Sequence, residues 1–462
     1  MLLTAAVRLH PFLEGNDDGD VGTYILGGRA LLHGVLPYAT VWEFKPPGLF
    51  ALYALALALC GDGSRAAALL GLIAAIATTL LIWRFVARVV PDGERAALAA
   101  AVLWACTSIE DDGLLGDAEL LAIPFAVAAL FVLAARVTPG RIALAGLLAA
   151  GAAQMKLSAA LFAIVPLVVI VRAGGFRTVA PFALAFAAPL ACEAALYAFA
   201  GRFAELWDAN AGATLRRIGS RPAVPAAPHV GDQFARLSPA LELALFAPLR
   251  RNPWLPIIGL WLLTSAVALV AAGEYDARQW LPLLPPLAIF GGIGLDAIAR
   301  RTPAPAGIVA VACVLAFGLH GYFELNSAVR TVWMRDVRGE RDWRISDADR
   351  LVGELRVRGV ARDTLWVVEK TPRIYDELGV APPTRYPLTS NLFNRTLWPM
   401  LGFSGPAELD RILDLARPRW IVVGTCGVWC DAATRDATYA KIRADYARVA
   451  QLDASTVLYQ RK

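Results

Sequence analysis

Histidine and cysteine are both scarce in this chain. The four histidines, at positions 10, 33, 229 and 320 of 462, are too scattered to assemble a metal site of their own. Of six cysteines, Cys60, Cys106, Cys192 and Cys313 lie inside apolar runs, where cysteine behaves as a small hydrophobe. Charge is thin as well, at 18% of residues, and within the long apolar runs Glu193 alone places a strong charge mid-run. That thinness argues against a transport pathway lined with ionisable groups. No internal repeat stands out. No signal peptide is expected before the acidic stretch, because the 13 residues "MLLTAAVRLHPFL" are too few to span a bilayer.

What is abundant is apolar surface. Hydrophobic residues make up 57% of the chain and the mean hydropathy is +0.53, a level routine for polytopic membrane proteins and rare for soluble ones. The apolar runs predict about ten spans, near 66–88, 96–108, 120–136, 141–155, 157–172, 178–200, 237–249, 253–272, 279–298 and 305–323. Several are short, so broken or partly buried segments are expected. Alternate linkers carry arginine: Arg84, Arg88 and Arg95; Arg136 and Arg141; Arg172 and Arg177; Arg250 and Arg251; Arg300 and Arg301. The positive-inside rule puts those linkers in the cytoplasm. Arg216, Arg217 and Arg221 break the pattern, in a longer loop where the rule is weaker. The opening stretch, the segments 109–119 and 273–278, and the tail then fall on the opposite, external face.

The tail changes character. After Glu324, short strand-like runs ("TLWVVEK" at 364–370, "PRWIVVGT" at 418–425, "STVLYQRK" at 455–462) alternate with helical patterns at 405–416 and 434–452. That order predicts a small α/β domain. Cys426 and Cys430 sit in it as C-x-x-x-C. Zinc would need two more ligands nearby, so the pair reads as a local disulfide or as two free thiols.

Polarity is concentrated in "EGNDDGDVGTYILGGRALLHGVLPYATVWEFKPPGLF", residues 14–50. Glu14, Asp17 and Asp18 read as solvated loop acids. Tyr24, Leu31, Leu32 and Leu36 follow at roughly helical spacing, which predicts an amphipathic helix on the membrane surface. Asp20 lies at its N-terminal edge, as a cap or as a catalytic base. Lys45, before Pro46-Pro47, reads as a phosphate contact or as a snorkelling lysine at headgroup level. A second acidic stretch, "EDDGLLGDAELLAIPF", brings Asp117 and Glu119 to the start of a span. Two carboxylate patches and a lysine on one face suggest chemistry on an anionic lipid headgroup, a carboxylate acting as base while cations hold a leaving phosphate. Arg278 reads as a phosphate contact or an interfacial anchor. Trp42, Trp104, Trp207 and Trp254 read as an interfacial belt.

The stretch "DVGTYILGGRALLHGVLPYATVWEFKPP" resembles the first external loop of GT-C-type membrane glycosyltransferases, within them the protein-mannosyltransferase/aminoarabinose-transferase-like group (family 39 and bacterial relatives). Asp20, Gly22, Tyr24, Gly34, Pro37, Tyr38, Lys45, Pro46 and Pro47 match that loop. Glu119 matches an acid of the group's second external loop, and Lys156 in "GAAQMKLSAALF" a lysine after a glycine-rich span. "ARQWLPLLPPLAIFGGIGL" resembles its HY-x-L-x-L-L-P segment, with Gln279-Trp280 where His-Tyr is common, and "TPRIYDELGVAPPTRYP" fits its tail. The resemblance implies an inverting transfer from a polyprenyl-phosphate-linked sugar to a glycan, lipid or protein acceptor. Asp20 is then the base and Glu119 a second catalytic acid. Lys45 holds the donor phosphate, with Tyr24, Tyr38, Lys156 and Arg278 as further substrate contacts. Val21 replaces the usual glutamate after the aspartate, and Thr40 the aspartate after Pro-Tyr. Fewer acids remain for a divalent metal, so none is assigned. The group carries a full transmembrane helix before this loop; here only a stub precedes it.

The expectation is a polytopic α-helical, GT-C-like membrane protein with a C-terminal external α/β domain. Its boundaries are 1–61 for the stub and first loop, 62–323 for the bundle and 324–462 for the tail. It would sit in a bacterial-type plasma membrane, act on the extracytoplasmic face and bind no nucleic acid. A lipid-linked-sugar flippase or transporter is the competing reading, and a scaffold a third that leaves Lys45-Pro-Pro without a purpose.

Overall fold

The computed structural model describes residues 1–109, 113–219, 227–248, 252–273, 275–340, 343–427 and 429–462. Glu110, Asp111 and Asp112 of the second acidic stretch lie outside them, with Arg221, Arg250, Arg251 and the side chain of His229. Contacts group the chain into two compact units that do not follow chain order. One holds Met1–Leu13, Ala68–Phe199 and Ala223–Arg341; the other holds Glu14–Ala67, Ala200–Pro222 and Asp342–Lys462.

The first unit is helical. Among the described residues, seven helices are long and apolar enough to cross a membrane: Gly63–Val89, Ala118–Ala135, Leu157–Gly174, Phe176–Phe199, Leu255–Ala272, Ala277–Ala299 and Pro305–Val337. Three of the expected spans fall short. Glu94–Thr107 has 14 residues and Pro139–Met155 has 17, about 21 and 26 Å at 1.5 Å per residue against a core of about 30 Å. Among its described residues, the run at 237–249 holds only the short helix Ala240–Ala244 beyond Leu237, with Pro239 before it and Pro248 after it. The segment after Lys156 is broken as expected, a tight 3-10 stretch Leu157–Ala163 continuing as α-helix Ile164–Gly174.

Small residues bring these helices together. A Cβ on Gly292 would lie 2.4 Å from the Ala96 carbonyl oxygen, so glycine is what lets Leu284–Ala299 touch Glu94–Thr107 backbone to backbone. Ala99, Leu295, Ala299 and Val309 pack beside that contact. At one end Asp296 accepts from Arg95 Nε at 2.9 Å and Arg300 Nε at 2.7 Å, and Asn252 Nδ2 donates to the Val89 carbonyl at 2.6 Å. Three of the linkers predicted to share a face thus meet at one end. Trp104 is fully buried in this unit, a core residue rather than a belt residue.

The second unit joins the first loop to the tail. Its sheet has strands β1 (Leu365–Val368), β2 (Trp420–Val423), β3 (Tyr446–Gln451) and β4 (Val457–Arg461) in the order β1-β2-β4-β3. β1 and β2 are parallel, Leu365 opposite Trp420; the other pairs are antiparallel. β3 falls inside the stretch expected as one helix over 434–452. That helix stops at Asp445, and Tyr446–Gln451 pairs along β4 instead, an edge strand whose tertiary pairing overrides local helical spacing. The core gathers Leu26 and Val41 from the first loop with Leu351, Leu365, Ile374, Trp420, Val422 and Leu458 from the tail.

Helix Gly19–Leu32 is not a surface helix. Val21 to Gly28 are buried without interruption, on every side of the helix, while Leu32 is exposed. A Cβ on Gly22 would sit 2.6 Å from Thr371 Oγ1 and 2.8 Å from the Arg373 amide nitrogen. That approach explains the glycine in the Asp-x-Gly-x-Tyr pattern. Trp42 is likewise core, 2% exposed and 5.7 Å from the Tyr386 ring.

Candidate functional site

The acids that open helix Gly19–Leu32 divide their work. Asp18 is the N-cap, its carboxylate accepting from the Val21 amide at 2.7 Å. Asp17 is no idle loop acid: it accepts from the amides of Asp347 and Ala348 at 2.9 and 2.8 Å, at the start of helix Asp347–Val357. Asp20, half-buried in the first turn, is therefore not the cap. A neighbouring carboxylate performs that role.

The loop after this helix turns on Tyr38, a buried non-glycine residue at φ 72°. Its hydroxyl donates to the Lys45 carbonyl at 2.7 Å and accepts from Asn210 Nδ2 at 2.9 Å. Tyr38 thereby holds the backbone that presents Lys45. Pro46 and Pro47 then start helix Pro47–Cys60, where proline's missing N–H costs nothing. Lys45 does not snorkel. It is 5% exposed, its Nζ 3.3 Å from Glu43 Oε1, 3.9 Å over the Phe44 ring and 5.5 Å from the Tyr24 ring. Arg217 approaches the Phe44 ring at 5.7 Å.

Glu43 is 1% exposed. Burial pushes its carboxyl above the ordinary glutamate range; Lys45 opposes the shift and the charge of Asp20 adds to it. Asp20, Glu43 and Lys45 thus form one electrostatically linked cluster. Such a cluster offers a base, a cation and an acid that exchanges charge with both.

The first unit carries a second cluster. Glu119, buried in the first turn of helix Ala118–Ala135, receives the Lys156 ammonium, which also donates to Gln279 Oε1 at 2.6 Å. Lys156 stands at the break between Pro139–Met155 and the following 3-10 stretch, in extended backbone. A broken helix at membrane depth is tolerated where it carries polar function. Arg278 Nη1 pairs with Asp117 Oδ2 at 3.2 Å, and Asp117 caps the same helix through the Ala118 amide. Glu119, Lys156 and Arg278, far apart in sequence, are neighbours here.

The chain aligns along nearly its whole length with two solved structures of ArnT from Cupriavidus metallidurans. With the form bound to undecaprenyl phosphate it shares 15% identity at a TM-score of 0.66, over 99% of this chain and 96% of that one. With the apo form the values are 15% and 0.63, over 98% and 95%. Residues 44–197 match the family described as Dolichyl-phosphate-mannose-protein mannosyltransferase. At this identity the likeness to the two ArnT structures shows that the chain shares their fold. Among curated proteins none matches it. Seven helices among the described residues that are long and apolar enough to cross a membrane make it an integral membrane protein.

Sequence reasoning passed over Glu43, Asn210 and the partnership of Asp117 with Arg278. Glu43 carried a signal, as an acid two residues before a lysine inside the aromatic tract "WEFK". Asn210 and Arg217 carried none, because only folding brings them against Tyr38 and Phe44 of the first loop.

Proposed function

We propose that this protein transfers a sugar from a polyprenyl-phosphate-linked donor to an acceptor hydroxyl or amine on the extracytoplasmic face, in one inverting displacement. The acceptor heteroatom attacks the anomeric carbon, the bond from that carbon to the phosphate oxygen breaks, and polyprenyl phosphate departs. Asp20 takes the acceptor's proton. Lys45 stabilises the charge that develops on the leaving phosphate. Glu119, Lys156 and Arg278 hold polar parts of the substrates, with Glu119 as a second catalytic acid.

The observation that carries the reading is the burial of Lys45 beside Glu43 and Asp20. Burying an ammonium is costly unless its charge is used or paired, and this one lies in a cluster where the charge of half-buried Asp20 acts on its partner Glu43. The fold shared with a protein whose crystal form binds undecaprenyl phosphate supports the lipid class of the donor. Incubation of the purified protein with radiolabelled polyprenyl-phosphate sugars tests it. Release of lipid phosphate that depends on Asp20 is the expected result. Passage of the labelled lipid across a vesicle membrane with no release would favour the flippase.

A further inference from the structure

β1 and β2 are parallel, so their carboxyl ends open on one edge of the sheet, the usual position of a ligand crevice beside parallel strands. Glu369 and Lys370 leave that edge after β1, and the segment closed by the Cys426–Cys430 disulfide leaves it after β2. A cavity of about 260 Å3 lies there, walled by Asp17, Asp347, Glu369, Lys370, Ser390 and Trp429 among others. This is slightly below the common range for small-molecule pockets, about 300–1,000 Å3, so the space suits one small ring.

Glu369 is the unusual residue of the wall. Its φ is +58°, a left-handed conformation that non-glycine residues adopt only under strain, and such strain concentrates at ligand sites. Thr389 holds it: the Glu369 amide donates to Thr389 Oγ1 at 2.8 Å, and that hydroxyl donates to the carboxylate at 3.2 Å. Burial pushes the carboxyl up to about 7. Trp429 stays 38% exposed, an indole on a segment that the disulfide tethers.

The lining selects a ligand class by elimination. A phosphate would meet three carboxylates and one ammonium, and that ammonium, on Lys370, already lies 4.0 Å from Asp347 and 3.8 Å from Asp453. A metal is no better served. The Glu369 carboxylate lies within 4.8 Å of both Cys426 and Cys430 sulfurs, but bridged sulfurs are not the thiolates a metal needs. Asp17 already spends both oxygens on backbone amides. What remains is a carboxyl, hydroxyls and one indole face, which match a ring that is polar around its edge and apolar on its face.

We infer that this crevice binds a single saccharide unit, its face on Trp429 and its hydroxyls on Glu369 and Ser390. The inference rests on the transferase reading only in naming the source of that sugar, a glycan part of the acceptor. The test is saturation-transfer NMR on the full chain in nanodiscs, with methyl glucoside and methyl glucosaminide as probes. Transfer to at least one glycoside is expected, weakened tenfold or more by Glu369→Gln and by Trp429→Ala. Ser390→Ala, a milder change, should weaken it several-fold and guards against misfolding of the other two. Asp20→Asn should leave glycoside binding intact, which separates this site from the catalytic reading. No transfer from either glycoside, or transfer that survives all three crevice substitutions, overturns the inference. Glycoside binding by a wild-type protein that releases no lipid phosphate would instead count against the proposed reaction alone.

Discussion

The Lys45 ammonium lies 3.3 Å from the Glu43 carboxylate, and both side chains are almost closed to solvent. Such a pair is a poor source of stability, because two desolvation costs offset the attraction, but removing one partner strands the other. Lys45→Ala and Glu43→Gln should each lower stability, by roughly 3–5 kcal/mol for the lysine variant. They should separate in donor binding. Lys45→Ala leaves a carboxylate facing the phosphate and should weaken polyprenyl-phosphate binding tenfold or more, whereas Glu43→Gln leaves the cation and should not. A Glu43→Leu, Lys45→Met double variant should regain stability and still fail to bind. Equal donor affinity in all three would remove Lys45 from the phosphate.

Asp18 and Asp20 are two residues apart and should behave as different kinds of residue. Asp20→Asn keeps size and loses proton acceptance, so turnover should fall about 10²–10⁴-fold at normal abundance. Asp18→Ala should cost about 1 kcal/mol of stability while turnover per folded molecule stays near normal. Single-turnover assays beside thermal unfolding distinguish the two, and a fully active Asp20→Asn protein would end the general-base assignment.

Lys156 and Glu119 form the second buried pair. Lys156→Met alone should destabilise by roughly 3–5 kcal/mol through the stranded Glu119, and Glu119→Gln in the same chain should recover most of it. If the pair also serves the reaction, the double variant will be stable and slow. A stable double variant of normal speed would make the pair purely structural.

Cys426 and Cys430 are bridged, with Cα atoms 6.1 Å apart. Non-reduced peptide mapping should find the bridge in protein isolated from an oxidising compartment. A reporter fused at Lys462 should then score external and one after Arg301 cytoplasmic. A cytoplasmic Lys462 would contradict the proposed sidedness of the tail.

Glu369 links stability to pH. Its folded-state carboxyl is raised from 4.5 to about 7 by burial, so the folded state keeps a proton that the unfolded chain releases. The resulting stabilisation is present in full below about pH 4.5 and is lost as pH rises towards 7, by about 3 kcal/mol at most. Glu369→Gln should flatten this slope and be the more stable protein at pH 8. Parallel melting curves of the two proteins between pH 5 and 8 would show no Glu369 contribution.

Composition by itself determined that this is a helical membrane chain, because hydrocarbon accepts little except long apolar helices. The loop from Asp20 to Pro47 was also legible, since its glycine, tyrosine and prolines answer local backbone needs. Short strands at 365–368, 420–423 and 457–461 were legible too, from their runs of β-branched and aromatic residues. Tertiary structure decided the rest. Whether a helix lies on a surface or in a core depends on what covers its second face, so Gly19–Leu32 could not be assigned from its own spacing. β3 exists because β4 offers an edge to pair with. Capping went to Asp18 rather than Asp20 by a backbone turn that acidic residues in a row do not specify. Glu43 became the partner of Lys45, and Gln279 of Lys156, only when the folded backbone brought them within hydrogen-bond range, and the pairing of charges in low dielectric is a property of distance and burial that no single stretch of sequence contains.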